Sequence, residues 1–475
     1  MSDTSRPSAA VSPPARSVVH ESLLQAALPL VRDWLPRRRW FAGKGRPIVS
    51  VTPVSATPLG FEPLLLHLLL RVEQQGGGSD CYQLLLGARP EGVPSADAVI
   101  GHVAHGPHDG LVLYDAAYDP ALTDRLLRLL STPQRRGLLR FSNFGELAFP
   151  VGTVGRVGTA EQSNTSIVYG DRAILKLFRR VSPGLNPDLE LSLALARAGS
   201  TRIPAPLAWF ESELPETPTE APATLGLLQR FLSDGEDGWE LALRRVGMLE
   251  KAPTEHVGNF AAESFLLGRA TAEVHLALAR SLPVTVLGRA EIESLADAMA
   301  LRLDAAASAV PQLAPYQTGL RRIFRELAAS ARAGATLRVQ RIHGDLHLGQ
   351  VMRTARGWVL LDFEGEPAKP LSERRLPQPA IRDVAGMLRS FDYAAAHLGP
   401  SPSPEVATAA SAWAARNRAA YCAGYAAAGA EDPLADPLLL RALETDKAVY
   451  EVLYEARHRP EWLPIPLSAI SRLAT

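Results

Sequence analysis

Apolar residues at Leu23, Leu24, Ala27, Leu30, Val31 and Trp34 recur at helical spacing and predict a helix over 20–34, which Pro36 stops. The pattern then turns strand-like over 48–72 and 81–86, split by the Gly-rich loop Gln74 to Ser79. A helix is expected at 121–130. Two β-branched and apolar runs flank Gly170-Asp171 and predict a hairpin with a two-residue turn. Asn186-Pro187 opens a short helix, and 225–232 reads as another strand. From 257 onward the period is almost wholly helical, at 257–281, 292–333, 404–429 and 438–457. The chain therefore runs from β-rich to helix-rich, an α+β order.

At 475 residues the chain exceeds one ordinary domain. Hydrophobic residues make up 47% and charged residues 21%, enough apolar surface for large cores. Lys+Arg and Asp+Glu are both 50, so no global field recruits nucleic acid or an anionic membrane. Two cysteines, Cys81 and Cys422, make no disulfide framework, which fits a reducing cytoplasm. The Ser/Pro/Ala-rich N-terminus lacks the apolar core of a secretory signal, and the greasy run 63–70 is too short to span a bilayer.

The candidate chemistry sits in Arg341-Ile-His-Gly-Asp-Leu-His-Leu-Gly-Gln350 and the following run Trp358 to Gly365. Asp345 follows a His-Gly turn, Gln350 lies five residues on, and Asp362 ends an apolar strand one hairpin later. That spacing is a phosphoryl-transfer layout. Asp345 would orient or accept the proton of the attacking hydroxyl, while Gln350 and Asp362 would hold Mg²⁺ through oxygen ligands. His343 and His347 are read as braces of this loop rather than metal ligands.

Upstream, Ser163, Asn164, Thr165 and Ser166 stand where hydroxyl and amide donors could meet ATP phosphates, in place of a Gly-rich loop. Lys176, inside an apolar strand after that hairpin, is expected to grip the α- and β-phosphates, with Glu190 of the next helix as its ion-pair partner. Backbone groups near Gln229 to Phe231 would pair with adenine.

These motifs carry a resemblance. His343-Gly-Asp-Leu-His-Leu-Gly-Gln350, Asp362 to Arg375, Arg382 to Phe391 and Arg39-Trp-Phe-Ala-Gly-Lys-Gly45 resemble those of bacterial maltokinases. These look like distant relatives of protein kinases and aminoglycoside phosphotransferases. The resemblance implies a bilobal protein-kinase-like fold with an N-terminal cap domain. The corresponding division is a disordered N-terminus (1–18), a cap (19–93), an intermediate region (94–149), a β-rich N-lobe (150–232) and a helical C-lobe (233–475). It further implies ATP-dependent phosphorylation of the anomeric hydroxyl of maltose, giving maltose 1-phosphate for α-glucan synthesis, with trehalose synthase as functional partner. His343, Glu364, Glu451 and Tyr454 are the candidate sugar contacts. Residue chemistry alone reaches only a small-molecule kinase. A kinase of glucosamine or an aminoglycoside on the same fold is the nearest rival, and a nucleotide-binding pseudokinase scaffold the more distant one.

Overall fold

The computed structural model describes residues 13–93, 95–145, 147, 149, 152–158, 164–214, 222–251, 259–367, 369–398 and 403–475, with side chains from Glu21 onward. It divides into two compact units, Met1–Asn186 with Pro206–Phe231, and Pro187–Ala205 with Leu232–Thr475.

The first unit begins with α1 (Pro13–Trp34), then β1 (Ile48–Phe61), β2 (Leu64–Gln74), β3 (Ser79–Arg89), β4 (Val99–His102), β5 (Val112–Asp115) and α2 (Pro120–Leu130). It continues with β6 (Gln134–Arg136), β7 (Leu139–Asn143), β8 (Gly155–Val157), β9 (Asn164–Tyr169), β10 (Ala173–Phe178) and β11 (Arg180–Val181). After α3 (Pro187–Arg197), which belongs to the second unit, β12 (Pro206–Ser212) and β13 (Ala223–Arg230) complete it. One antiparallel sheet runs β1-β2-β3-β5-β4, with β11 paired to β3; the other runs β6-β7-β12-β13-β10-β9-β8.

The greasy run at 63–70 explains itself here. Leu66, Leu68 and Leu70 of β2 face a core with Leu23, Val31, Trp34, Trp40 and Phe41. Leu65 and Leu69, on the opposite face, join a core with Leu122 and Leu126 of α2 and Phe141 and Phe210 of the second sheet. A strand buried on both faces loses the usual apolar/polar alternation. Each such leucine is worth about 1.5–3 kcal/mol of burial.

The second unit comprises α3, β14 (Glu236–Asp237), α4 (Gly238–Gly247), α5 (Ala261–Ser281), β15 (Thr285–Leu287), α6 (Arg289–Ala309), α7 (Gln317–Arg332) and β16 (Leu337–Val339). The hairpin β17 (Val351–Thr354) and β18 (Gly357–Leu360) follows, then α8 (Leu371–Arg374), α9 (Ile381–Ala396), α10 (Pro404–Ala427), α11 (Pro437–His458) and α12 (Pro464–Ala474). Helices α5 and α10 pack closely because both carry glycine at the crossing. A Cβ on Gly268 would overlap the Tyr421 carbonyl, and one on Gly424 the Phe265 carbonyl.

Four boundaries differ from the sequence reading. Residues 13–18, expected to be disordered, begin α1, while 1–12 lie outside the described residues. The intermediate region 94–149 is not separate: β4 and β5 complete the cap sheet, whereas β6 and β7 belong to the N-lobe sheet. Residues 187–205, assigned to the N-lobe, cluster with the helical unit. The β9–β10 turn spans Gly170 to Arg172, because Tyr169 pairs with Ala173.

Candidate active site

The loop 341–350 is held from behind. Asp383, near the start of α9, accepts the His343 N–H at 2.8 Å and the Gly344 N–H at 2.9 Å. His275 of α5 donates Nε2–H to the same carboxylate at 3.0 Å, and its Nδ1 accepts the Tyr425 hydroxyl at 2.9 Å. Burial pushes the Asp383 carboxyl up, but the hydrogen bond from His275 and the charges and backbone N–H groups around it outweigh burial and keep it low. Asp383 thus orients the loop rather than merely capping its helix. The Ser390 hydroxyl, about two turns further along α9, accepts the Leu348 N–H at 3.0 Å.

His343 is buried, with Nε2 donating to the Leu361 carbonyl at 2.6 Å and the ring 4.8 Å from that of Phe363. It is a brace, which corrects its candidacy as a sugar contact: both ring nitrogens are engaged inside the protein, Nε2 with the Leu361 carbonyl and Nδ1 with the Asp345 N–H at 3.3 Å. His347 has the same duty. Burial lowers its pKa, and its Nδ1 accepts the Gly349 N–H at 3.1 Å.

The loops that carry Asp345 and Asp362 approach each other through two glycines. Gly344 (φ 86°) and Gly365 (φ 72°) both adopt left-handed backbone, and a Cβ on Gly344 would stand 3.3 Å from the Gly365 Cα. Asp362 is the sole non-glycine with positive φ among the described residues, at 62°. Such an outlier in a loop of this kind is where functional strain is expected. Gln350 Nε2 donates to Asp362 Oδ2 at 3.4 Å, so the two expected metal ligands converge. A carboxylate and an amide are oxygen donors of the sort Mg²⁺ takes, and the pair fits it. Among the described residues no group of three or more His, Cys, Asp and Glu could hold a metal, so water and phosphate oxygens would complete such a shell.

Helix α3 supports both aspartate loops. The buried Asp188 accepts the Phe363 N–H at 3.1 Å. Glu190 accepts from Arg341 Nη2 at 2.7 Å and lies 3.7 Å from Arg375 Nε. Its neighbours within this unit are thus Arg341, which opens the 341–350 loop, and Arg375, beyond the 362–365 loop. Glu364 is screened by Arg374, which donates to its backbone carbonyl at 3.1 Å.

The residue that the sequence reading missed is Lys447, on α11. Its Nζ stands 3.1 Å from Asp345 Oδ1 and 4.0 Å from Glu366 Oε1. Burial alone would lower its pKa, but Asp345, Glu366 and Glu451 outweigh that and raise it, so the group is a fixed cation. Tyr450, one turn on, presents its ring 5.2 Å from Nζ. No motif marks Lys447, because it lies 102 positions from Asp345. Helical spacing from Tyr450 and Tyr454 is the one signal that could have found it.

Of the two sugar contacts chosen on α11, Glu451 is corrected. It is buried, and its Oε2 is paired with Arg389 at 2.9 Å, an ion pair inside the helical unit. Tyr454 is 40% exposed and stacks on Tyr450 with centroids 6.1 Å apart.

In the first unit, Lys176 pairs across β9 with Ser166 and across β13 with Leu227. Residues directly opposite share a face. Lys176, Ser166, Asn164 and Ile174 are half-buried, whereas Thr165, Ile167, Leu175 and Leu177 are buried on the other side. Thr165 is therefore not a phosphate donor: the alternation turns it inward, where its hydroxyl accepts from Arg179 Nε at 2.7 Å. Ser163 lies outside the described residues. Gln229 is buried in β13 opposite Ile174, and the Phe231 N–H donates to the Arg172 carbonyl at 2.9 Å.

Residues 156–433 match the model of the phosphotransferase enzyme family, and residues 34–119 match that of the maltokinase N-terminal cap domain. A glucosamine kinase of Streptacidiphilus jiangxiensis is 31% identical over 321 residues, spanning 64% of this chain and 70% of that protein. One of Mycolicibacterium smegmatis is 29% identical over 422 residues, 84% of this chain and 96% of that one. A solved glucosamine kinase in complex with glucosamine, ADP and inorganic phosphate shares the fold, with TM-score 0.68 at 23% identity over 93% of this chain and 98% of that one.

Proposed function

The chain belongs to the phosphotransferase enzyme family, and from that premise we propose that it is an ATP-dependent sugar kinase whose acceptor is maltose, phosphorylated at its anomeric hydroxyl. The observation that carries the acceptor is Lys447. An amino sugar such as glucosamine brings an ammonium, and a site for it needs uncompensated carboxylates. Here the acidic groups around Asp345 already have cations: Lys447 at Asp345, and Lys369 and Arg382 at Glu366. A second ammonium would meet like charge, whereas sugar hydroxyls can hydrogen-bond to Lys447 and lie against Tyr450 and Tyr454. The maltokinase cap supports the same acceptor; the two glucosamine kinases support the reaction type.

In this reading Asp345 orients the acceptor hydroxyl and takes its proton as the oxygen attacks the γ-phosphorus of ATP, the bond from the γ-phosphorus to the bridging oxygen breaks and ADP leaves. Lys447 fixes the carboxylate and shields its charge. Lys176 grips the phosphates from the face it shares with Ser166 and Asn164, and the backbone around Gln229 to Phe231 receives adenine. Gln350 and Asp362 would hold Mg²⁺, which would supply positive charge against the phosphates. The product, maltose 1-phosphate, is a glucan precursor.

The test is ATP consumption with Mg²⁺ against maltose, trehalose, glucose, glucosamine and kanamycin, with the linkage read by ³¹P NMR. Turnover of maltose with phosphate on the anomeric carbon is expected. Preference for glucosamine would keep the reaction and overturn the acceptor.

A further inference from the structure

Helix α10 carries Ala407, Ala410, Ser411, Ala414 and Arg418 at helical spacing, while its Val406 and Trp413 join the core of the helical unit. The small residues line a groove of about 930 Å³ shared with α9 and with α12, where Ile465 adds to the apolar wall. Close-packed interiors leave few voids larger than a water, so alanines where leucine would fill the space leave room that packing does not use. Among the described residues that line the groove, none belongs to the 341–350 or 362–365 loops or to α11.

Its polar lining is a balanced set of charges. Asp392 Oδ2 accepts from Arg389 Nη1 at 2.6 Å, Arg472 Nη2 at 2.8 Å and Arg418 Nη1 at 3.3 Å. Glu444 accepts from Arg418 Nη2 at 2.9 Å and Arg472 Nη2 at 3.0 Å, and Glu451 accepts from Arg389 Nε at 2.9 Å. Three guanidiniums thus meet three carboxylates. N–H donors are nevertheless in surplus. Arg389 is 1% exposed, and its Nη2, although 2.9 Å from Glu451 Oε2, has no aligned hydrogen-bond acceptor. A guanidinium offers five N–H groups, and Arg472 engages only Nη2 among the described residues.

We propose that this groove is a second small-molecule site, for a neutral polyhydroxyl compound of disaccharide to trisaccharide size. An anion would unbalance a set of charges already matched, beside the exposed carboxylate of Glu461, which also lines the groove. An ammonium would meet three guanidiniums. Hydroxyl oxygens can accept the surplus N–H groups, and hydroxyl protons can go to Asp392 and Glu461. The alanine methyls and Ile465 then cover the C–H face of a sugar ring, the division of apolar wall and few polar groups that small-molecule sites use. The volume lies within the range of about 300–1,000 Å³ usual for such sites. Lys447, Tyr450 and Tyr454 line no part of the groove, so its ligand does not depend on whether maltose is the acceptor.

The experiment is two-dimensional methyl NMR of the full chain labelled with ¹³C-methyl alanine, titrated with maltotriose, trehalose, sodium phosphate and sodium benzoate. The signals of Ala407, Ala410 and Ala414 are assigned by replacing each with serine in turn. Maltotriose or trehalose is expected to shift these signals saturably at millimolar concentration, and the two anions to leave them in place. Ser411→Phe and Ser468→Phe fill the groove from exposed positions on α10 and α12 and should abolish the shifts. Blocks on two different helices keep the test readable if one variant is unstable. Alanine signals unmoved by both sugars would overturn the proposal, as would shifts that persist in the folded blocked variants. Shifts produced by phosphate or benzoate alone would overturn the neutral ligand class.

Discussion

The ammonium of Lys447 stands 3.1 Å from the carboxylate of Asp345, on a helix that no catalytic motif reaches. An isolated carboxylate at this point would attract an amino-sugar ammonium; this one is already engaged. Replacing Lys447 by Met removes the charge and keeps most of the apolar stem. Maltose turnover should fall about a hundredfold, since a displaced Asp345 loses alignment with the acceptor. Relative turnover of glucosamine should rise. Steady-state kcat/KM for both sugars checks this, and an unchanged preference would show that Lys447 does not select by charge.

Asp345→Asn keeps the shape of the loop but cannot take a proton. The His343 and Gly344 N–H groups remain bound to Asp383, so the backbone should hold. Phosphoryl transfer should drop by about two to four orders of magnitude, with ADP affinity by calorimetry unchanged. Normal turnover in this variant would end the assignment of Asp345.

Glu366 gives a pH prediction. Burial pushes its carboxyl up, but Lys447, Arg382 and Lys369 together outweigh burial and bring it down to about 2, from an ordinary 4.5. A folded pKa below the unfolded one means that the unfolded chain binds the proton first as pH falls. The stabilisation is therefore complete above about pH 4.5 and is lost between there and about pH 2. Its size is roughly 3 kcal/mol. Urea unfolding of the parent and of Glu366→Gln across pH 2–7 should show a gap that is constant above pH 5 and closes below 4.5. A gap that stays open to pH 2 would sink the reading.

The turn at Asp345, the hairpin after Gln350 and the strand end before Asp362 were legible because they rest on local spacing within eighteen positions. The hairpin strand that carries Lys176 was legible because β-branched and apolar runs flank a Gly-Asp turn. What the chain did not reveal is long-range polar pairing. Asp188 meets Phe363, Arg341 meets Glu190, and Asp383 meets the catalytic loop, each across tens of residues or more. Single-sequence periodicity carries no signal for such partners. Helix α11 shows the limit most sharply. Lys447, Tyr450, Glu451 and Tyr454 occupy successive turns, but Arg389 takes Glu451 inward, and nothing in the local pattern identifies Arg389 as its partner. The cap boundary failed for a similar reason, since β5 pairs back to β3, across more than twenty positions, and β4 joins the sheet only through β5.

Asp383 is the anchor of the catalytic loop, and its removal separates catalysis from nucleotide binding. In Asp383→Asn one oxygen can still accept, but not from His343, Gly344 and His275 together. An unpaired buried N–H costs about 1–3 kcal/mol, so stability should fall by that order. Turnover should fall about a hundredfold through misplacement of Asp345. Calorimetric ADP binding should change little, because no nucleotide group proposed above touches Asp383. Equal loss of ADP affinity and turnover would mean that the variant is globally damaged rather than misaligned.

Asp362 combines two demands that can be separated by substitution. Its carboxylate meets the Gln350 amide, and its backbone sits at φ 62°, where a Cβ-bearing residue pays about 1–2 kcal/mol unless, like Asp or Asn, it hydrogen-bonds locally. Asp362→Asn and Asp362→Ala should both abolish most phosphoryl transfer, since neither supplies the anionic metal ligand. They should differ in stability. Asn tolerates the left-handed backbone and keeps a hydrogen bond toward Gln350, whereas Ala keeps the strain and loses the contact. Chemical denaturation should therefore place the Asn variant about 1 kcal/mol above the Ala variant. If the two melt together, the positive φ is not a source of strain in this loop. If the Asn variant retains turnover, the charge of Asp362 is not what the reaction needs, and the metal assignment moves to another residue.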